Sequence, residues 1–88
     1  SCPGAHKSHV RFIHAAATVP SVDVWVNMNT EIFSNVSYGS TGKPVYLPVN
    51  SGEISLAVAP AGATEVVLGP LPLTLERMKT YTVIATGL

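Results

Sequence analysis

Apolar and polar residues alternate along much of this chain, and this alternation is its main structural signal. In the clearest run, Val22, Val24 and Val26 alternate with Asp23 and Trp25. Successive side chains of a β-strand point to opposite faces of a sheet, so the three valines are predicted to face a core and the other two residues to face away from it. No segment keeps the 3.6-residue apolar period of an amphipathic helix. The pattern therefore predicts a β protein.

Turn-forming residues divide the chain into about seven short strands. The predicted strands cover residues 9–14, 22–26, 31–33, 45–49, 53–59, 65–69 with 71–75 (one interrupted strand or two) and 80–86. The second and third strands are predicted to form a hairpin, and the prolines of the fourth indicate an edge position. Residues 34–42 are predicted to form a loop. This number and spacing of strands favours an all-β fold, an immunoglobulin-like antiparallel β-sandwich.

Composition then narrows the class of protein. The chain has 88 residues, of which 47% are hydrophobic and 11% are charged, with five acidic and five basic side chains. This length predicts a single sandwich domain over residues 9–88, preceded by an N-terminal arm over residues 1–8. Typical soluble domains carry about 25% charged residues, so we expect a largely neutral surface that favours association.

The same features argue against three classes of function. The five basic residues are dispersed and form no basic patch, so nucleic acid is not an expected partner. No apolar run reaches the roughly 18 residues of a transmembrane helix, so no membrane span is predicted. The serines lie in predicted turns without a nucleophile-elbow motif, and the acidic residues are scattered. We therefore do not expect an enzyme.

Four segments of the chain resemble a known domain family. They are Val10-Arg11-x-x-His14-Ala15, Pro20-x-Val22-Asp23-Val24-x-Val26, Pro60-Ala61-Gly62 and Lys79-x-Tyr81-Thr82-Val83. Their order and spacing are similar to those of a bacterial extracellular family known only as domain of unknown function 4397, and the resemblance extends from about His9 onward. It implies a secreted or cell-surface β-sandwich with no known catalytic residue. One departure is the turn at residues 27–30, which lacks the glycine that the family usually has there.

The three histidines raise the question of a metal site. A zinc or copper site needs three or four converging ligands. His9 and His14 lie five positions apart and would face opposite sides of a strand, whereas His6 lies in the arm. We therefore expect no metal and no cofactor. The alternative for His14 is a partly buried histidine in a structural polar pair with Asp23.

The N-terminal arm is a candidate for contacts between subunits. It contains Cys2, Pro3 and Gly4, and Cys2 is the single cysteine of the chain, so it cannot form an intrachain disulfide. We predict that the arm joins a neighbouring subunit, either through a disulfide or by adding to an open sheet edge. The alternative is a frayed terminus.

Three aromatic residues are candidates for a contact surface. Trp25 is out of phase with the inward valines, and Tyr38 and Tyr46 lie in or beside predicted loops. Exposed aromatic side chains anchor subunits or glycans. The alternative for Trp25 is that it packs beneath the predicted loop at residues 34–42.

Two functions remain from the sequence. The first is a non-enzymatic structural subunit of an extracellular or cell-surface assembly, a filament or layer built as a homo-oligomer or polymer. The second is a surface adhesion module that binds a glycan or cell-wall polymer. A third reading is an accessory domain of an enzyme. The glycosylation sequon at Asn35 is discounted, because the family that the chain resembles is bacterial.

Overall fold

The computed structural model describes residues 7–86, and these form seven β-strands without a helix. The strands are β1 (Lys7–His14), β2 (Ser21–Val26), β3 (Thr30–Ser37), β4 (Leu47–Asn50), β5 (Gly52–Pro60), β6 (Leu68–Leu75) and β7 (Thr80–Ala85). One sheet has the order β4-β1-β7 and the other has the order β3-β2-β5-β6. Paired strands are antiparallel except β1 and β7, which are parallel. This architecture confirms the predicted all-β sandwich. Over the same residues, no helix has the length and apolar character needed to cross a membrane.

The two sheets bury their inner faces against each other. Val22, Val24 and Val26 are buried, as their alternation with polar residues predicts. Phe12 of β1 and Phe33 of β3 join the two sheets, with ring centroids 6.1 Å apart and an interplanar angle of 24°. Aromatic pairs of this kind contribute about 0.5–1.5 kcal/mol beyond the burial of their area. The core is therefore built from the period-two positions together with this aromatic contact.

Strand β5 buries both of its faces. Ile54, Leu56 and Val58 face the core as expected from the sequence, but Ala57 and Ala59 on the opposite face are also only 1% exposed. The strand lies inside its sheet between β2 and β6. On that face, Ala57 pairs with Trp25 and Ala59 pairs with Asp23, whose side chains are larger.

Several strand boundaries differ from those expected from the sequence, and β1, β3 and β6 are examples. β1 begins at Lys7, so Ser8 belongs to the sandwich; its hydroxyl is buried and donates a hydrogen bond to the Glu76 carbonyl at 2.7 Å. β3 continues to Ser37, into the stretch predicted to be a loop. β6 is one strand that begins only at Leu68. Exposed strand residues and loop residues are equally polar, so alternation alone does not separate them.

An extra residue in β3 explains why the second half of that strand lacks clear alternation. Val22 pairs with Val36 and Val24 pairs with Phe33, so two steps along β2 match three steps along β3. Asn35 lies in this bulge with a φ of 53°, in the left-handed region. Phe33 and Val36 both face the core although they are three residues apart. The bulge therefore breaks the period-two pattern.

Four strands form the edges of the two sheets. They are β4 and β7 in the three-stranded sheet and β3 and β6 in the four-stranded sheet. The edge position of β4 confirms the prediction from its prolines. Openings between the sheets show that β3 and β4 lie on one lateral side, whereas β6 and β7 lie on the other. This placement decides which apolar side chains remain in contact with water.

Candidate functional site

Asp23 is a buried carboxylate on the face of β2 that points away from the core, and it is 5% exposed. Its Oδ1 accepts the N–H of Asn35 at 2.8 Å, and its Oδ2 accepts the N–H of Gly62 at 3.0 Å. Gly62 has a φ of 80° in a turn closed by a bond of 2.9 Å from the Ala63 N–H to the Pro60 carbonyl. Asp23 therefore ties the β3 bulge to the turn after β5, and both of its oxygens have structural partners.

His14 is buried inside the sandwich at the end of β1. Its Nε2 lies 2.6 Å from the carbonyl oxygen of Val19 and donates to it, so Nδ1 is the acceptor for the Ala16 N–H at 3.2 Å. The Tyr38 ring packs edge-on against the imidazole, with centroids 5.8 Å apart. These contacts fix the connection between β1 and β2.

The expected pairing of His14 with Asp23 is not what the structure shows. His14 lies on the inner face of its sheet, whereas Asp23 lies on the outer face of the other sheet, so the strands themselves separate them. Each side chain satisfies its polar atoms with nearby backbone groups instead. Both residues are structural polar groups, but they belong to two separate sites.

The three aromatic candidates do not share one surface. Trp25 borders a hollow of about 110 Å³ on the outer face of the four-stranded sheet, together with Met28, Ala59, Thr64 and Val66. None of the described residues that border this hollow with Trp25 belongs to the predicted loop at residues 34–42. The Arg11 Cζ atom lies 5.5 Å from the centroid of the Tyr46 ring. This contact is on the outer face of the other sheet. Tyr38 packs against His14.

The arm candidates Cys2, Pro3 and Gly4 lie outside the described residues, and their contacts stay predictions. Within residues 7–86, no three side chains of histidine, cysteine, aspartate or glutamate are grouped so as to hold a metal ion.

An apolar cleft opens between the edge strands β6 and β7. It has a volume of about 310 Å³, with Phe12, Leu56 and Val58 deep inside and segments 68–71 and 83–86 along its sides. Among the lining residues that the structure describes, none carries a charge. At its rim, Leu71 and Ile84 are 53% and 55% exposed. Apolar side chains of the core therefore border the opening on this side.

The opposite lateral side has a different character. The opening between β3 and β4 has a volume of about 250 Å³ and is lined in part by polar Lys7, Asn27, Thr30 and Asn50. The Lys7 ammonium donates a hydrogen bond of 2.6 Å to Oδ1 of Asn50 at this side. The two lateral openings therefore differ in polarity, and the one between β6 and β7 is the candidate contact site.

The sequence contains a signal for this cleft that alternation did not reveal. Val83 and Ile84 are adjacent, and Leu71 and Leu73 alternate with Pro70 and Pro72, so apolar side chains occupy both faces of each strand. A strand that is apolar on both faces is covered on both sides or is left with an exposed apolar face. Which case applies depends on the strand order.

Comparison with models of known families identifies the family of the chain. The family model described as "Domain of unknown function (DUF4397)" matches residues 8–88. The chain belongs to the DUF4397 family. A comparison with curated proteins gave no match. Membership in DUF4397 therefore identifies the family and gives no activity.

The four segments that resemble DUF4397 meet pairwise in the structure. The first and fourth form the parallel ladder of β1 and β7, in which Val10 pairs with Tyr81 and Phe12 with Val83. The second and third meet where Asp23 accepts the Gly62 N–H. The Tyr81 hydroxyl in turn accepts the N–H of Glu76 at 2.8 Å and secures the turn before β7. The DUF4397 segments are thus explained by contacts that hold the sandwich together.

Proposed function

We propose that this domain is a non-enzymatic structural subunit of an extracellular or cell-surface assembly that forms by self-association. The observation that carries the proposal is the charge-free cleft between β6 and β7, with Leu71 and Ile84 half-exposed at its rim. Apolar surface of this kind is stabilised when a neighbour removes it from water. The net charge of zero offers little electrostatic repulsion between copies.

The state of the buried polar side chains supports a structural role. Ser8, His14 and Asp23 are buried, and each makes hydrogen bonds within the sandwich. A catalytic acid, base or nucleophile needs access to a substrate in a cleft. Within residues 7–86, no titratable side chain lines the β6–β7 cleft. The extracellular location rests on the resemblance to a bacterial secreted family.

The mass of the native protein in solution tests self-association. We expect light scattering to give a mass above the 9.2 kDa of one chain, and the mass to rise with protein concentration. A constant monomer mass across the concentration range would overturn the proposed function.

Repeating the measurement with reductant, and with Cys2→Ser, tests the predicted role of the arm. We expect the variant to keep the wild-type unfolding transition, because Cys2 precedes every described strand, and to form a less stable assembly. An assembly that is equally resistant to denaturant with reductant, without it and in the variant would contradict a disulfide joint.

A second candidate function is recognition of a glycan or cell-wall polymer, and the hollow beside Trp25 favours it. The indole borders an opening on the outer face of a sheet, where a sugar ring would stack. We expect Trp25→Ala to weaken retention on insoluble polysaccharide at least about fivefold, whereas Tyr46→Ala on the other outer face serves as the matched control. Equal retention of wild type and Trp25→Ala would contradict this function.

A further inference from the structure

Strand β7 differs from the other three edge strands in the described part of the chain. β4 has four residues and contains Pro48, and β6 contains Pro70 and Pro72. β3 carries the bulge at Asn35. Prolines, short strands and bulges all hinder the addition of another strand to a sheet edge. β7, with the sequence TYTVIA, has six residues, no proline, no charge and no bulge in its ladder with β1.

The backbone of β7 is directed so that another strand can pair with it. The Lys79 carbonyl accepts the N–H of His9 at 2.9 Å, and the Ala85 carbonyl accepts the N–H of Ala15 at 2.8 Å. Backbone groups of successive residues in an extended strand point to alternate sides, so odd-numbered residues of β7 bond to β1. The N–H and C=O of Thr82, and of the residues two before and two after it, therefore point to the open edge.

We propose that β7 pairs antiparallel with β7 of a second copy of this chain, across a twofold axis at the middle of the strand. This inference rests on the proposed self-association and names its joint. Two sheets of three strands would become one continuous sheet of six. The added hydrogen bonds come from backbone groups that no other described strand of the same copy uses.

The composition of the strands identifies a second β7 as the occupant. Strands β1, β2, β3 and β5 each contain a charged residue, and β4 and β6 contain prolines. Among the described strands, β7 alone can lie against this edge without placing a charge beside the uncharged cleft or losing ladder hydrogen bonds. Pairing across a twofold axis also sets the residue at the axis against its own copy, where a charge would face a like charge. β7 has none.

The same arrangement covers the cleft. Tyr81, Val83 and Ala85 lie on the inner face of β7, and a twofold axis perpendicular to the sheet keeps both inner faces on one side. The β6 strands of the two copies then approach each other, and the rims that carry Leu71 face one another across the axis. Two half-open sandwiches become one longer core. This joint closes a dimer, so a filament would need a second contact elsewhere.

Two registers place the twofold axis near the middle of β7. Residues directly opposite in an antiparallel pair place their side chains on the same face, so the axis lies midway between one residue and its own copy. An axis through Thr82 gives a hydrogen-bonded self-pair with Cα atoms about 5.5 Å apart. An axis through Val83 gives a non-hydrogen-bonded self-pair at about 4.5 Å. Both separations fall within the range of about 4.4–6.8 Å that a disulfide spans.

Three variants at one position test the joint. Thr82→Lys places like charges near each other across the axis, and Thr82→Pro removes an N–H that points to the open edge and not to β1. We expect each to raise the dimer dissociation constant at least about tenfold in sedimentation equilibrium. Thr82→Val stays neutral and favours strands, so it should dimerise like wild type. Ser34→Lys adds the same charge to exposed β3, and it too should leave dimerisation unchanged. Circular dichroism confirms that each variant is folded.

Disulfide trapping tests the register directly. Thr82→Cys and Val83→Cys are prepared in the Cys2→Ser background, with Ser34→Cys as the control. We expect rapid oxidation of one of the first two to a covalent dimer, and little dimer from the control. If wild type associates but neither the Thr82 variants nor the trapped pairs respond, the β7 joint is overturned and the proposed self-association stands. If wild type is monomeric throughout, the proposed function falls and the joint with it.

Discussion

Replacing Asp23 with alanine is expected to lower the free energy of unfolding by about 3–5 kcal/mol, because it removes both acceptors of a buried bridge. The carboxylate accepts N–H groups from Asn35 and Gly62 at 2.8 and 3.0 Å. Hydrogen bonds to charged groups contribute about 1.5–3 kcal/mol each. Loss of the carboxylate frees the β3 bulge and the turn after β5 together. Equilibrium denaturation measures the change.

Two controls make this prediction specific. Asp23→Asn keeps the side-chain size but supplies one acceptor oxygen, so it should cost roughly half as much as alanine. Glu53→Ala removes an exposed carboxylate from β5 and should stay within about 0.5 kcal/mol of wild type. An Asp23→Ala protein as stable as Glu53→Ala would contradict the structural role of the bridge. Each denaturation is measured at several protein concentrations, because self-association adds to apparent stability.

Phe33→Ala is expected to destabilise the domain by about 3–5 kcal/mol, because it leaves a cavity at the contact between the sheets. The ring is 1% exposed and stacks with Phe12 at 6.1 Å. It also lies against Gly42, where an added Cβ atom would be 2.7 and 2.9 Å from Cγ and Cε1 of the ring. The segment at Gly42 is held close by a bond of 2.9 Å from its N–H to the Phe12 carbonyl.

Because Gly42 lies so close to the Phe33 ring, the effect of Gly42→Ala on stability should depend on whether that ring is present. Gly42→Ala alone should destabilise the domain by about 1–3 kcal/mol, although glycine-to-alanine changes without strain commonly stabilise. In the Phe33→Ala background, the same change fills part of the cavity and should cost little or even stabilise. The double-mutant cycle should therefore show a coupling above about 1 kcal/mol. Additive effects would contradict the contact between these two residues.

Association at the cleft should also raise the stability that the denaturation measurements report. A sandwich of this size buries a modest core, so apolar surface covered at a joint is a substantial share of its stability. A variant that separates the copies at β7 should therefore unfold more easily at high protein concentration than wild type does. Thr82→Lys and Thr82→Val provide that comparison at one position.

Much of the fold was predictable because it depends on short-range patterns. The alternation in β2 and β5 identifies the core-facing side chains, and turn residues separate the strands. The prolines of β4 place it at an edge, as the structure confirms. The second half of β3 was not predictable in this way, because the bulge at Asn35 shifts the period by one residue. Nothing in the local pattern marks that extra residue.

The candidate sites were less accessible to sequence reasoning. His14 and Asp23 both serve structural polar roles, but their partners are backbone groups that become neighbours only when the strands pair. The aromatic candidates Trp25 and Tyr46 share a residue type, but they lie on the outer faces of different sheets. Which sheet a strand joins depends on pairings between distant segments, and composition does not reveal these pairings.

By itself, the sequence determined that this chain is a seven-stranded β protein of low charge, with Val22, Val24 and Val26 in its core and a match to DUF4397 over residues 8–88. These properties follow from side-chain periodicity and composition, which are local. Only the tertiary structure decided that β6 and β7 are edges on the same side and that an uncharged cleft lies between them. Strand order is set by contacts between segments far apart in the chain. The same contacts therefore determine which apolar surface remains exposed to water.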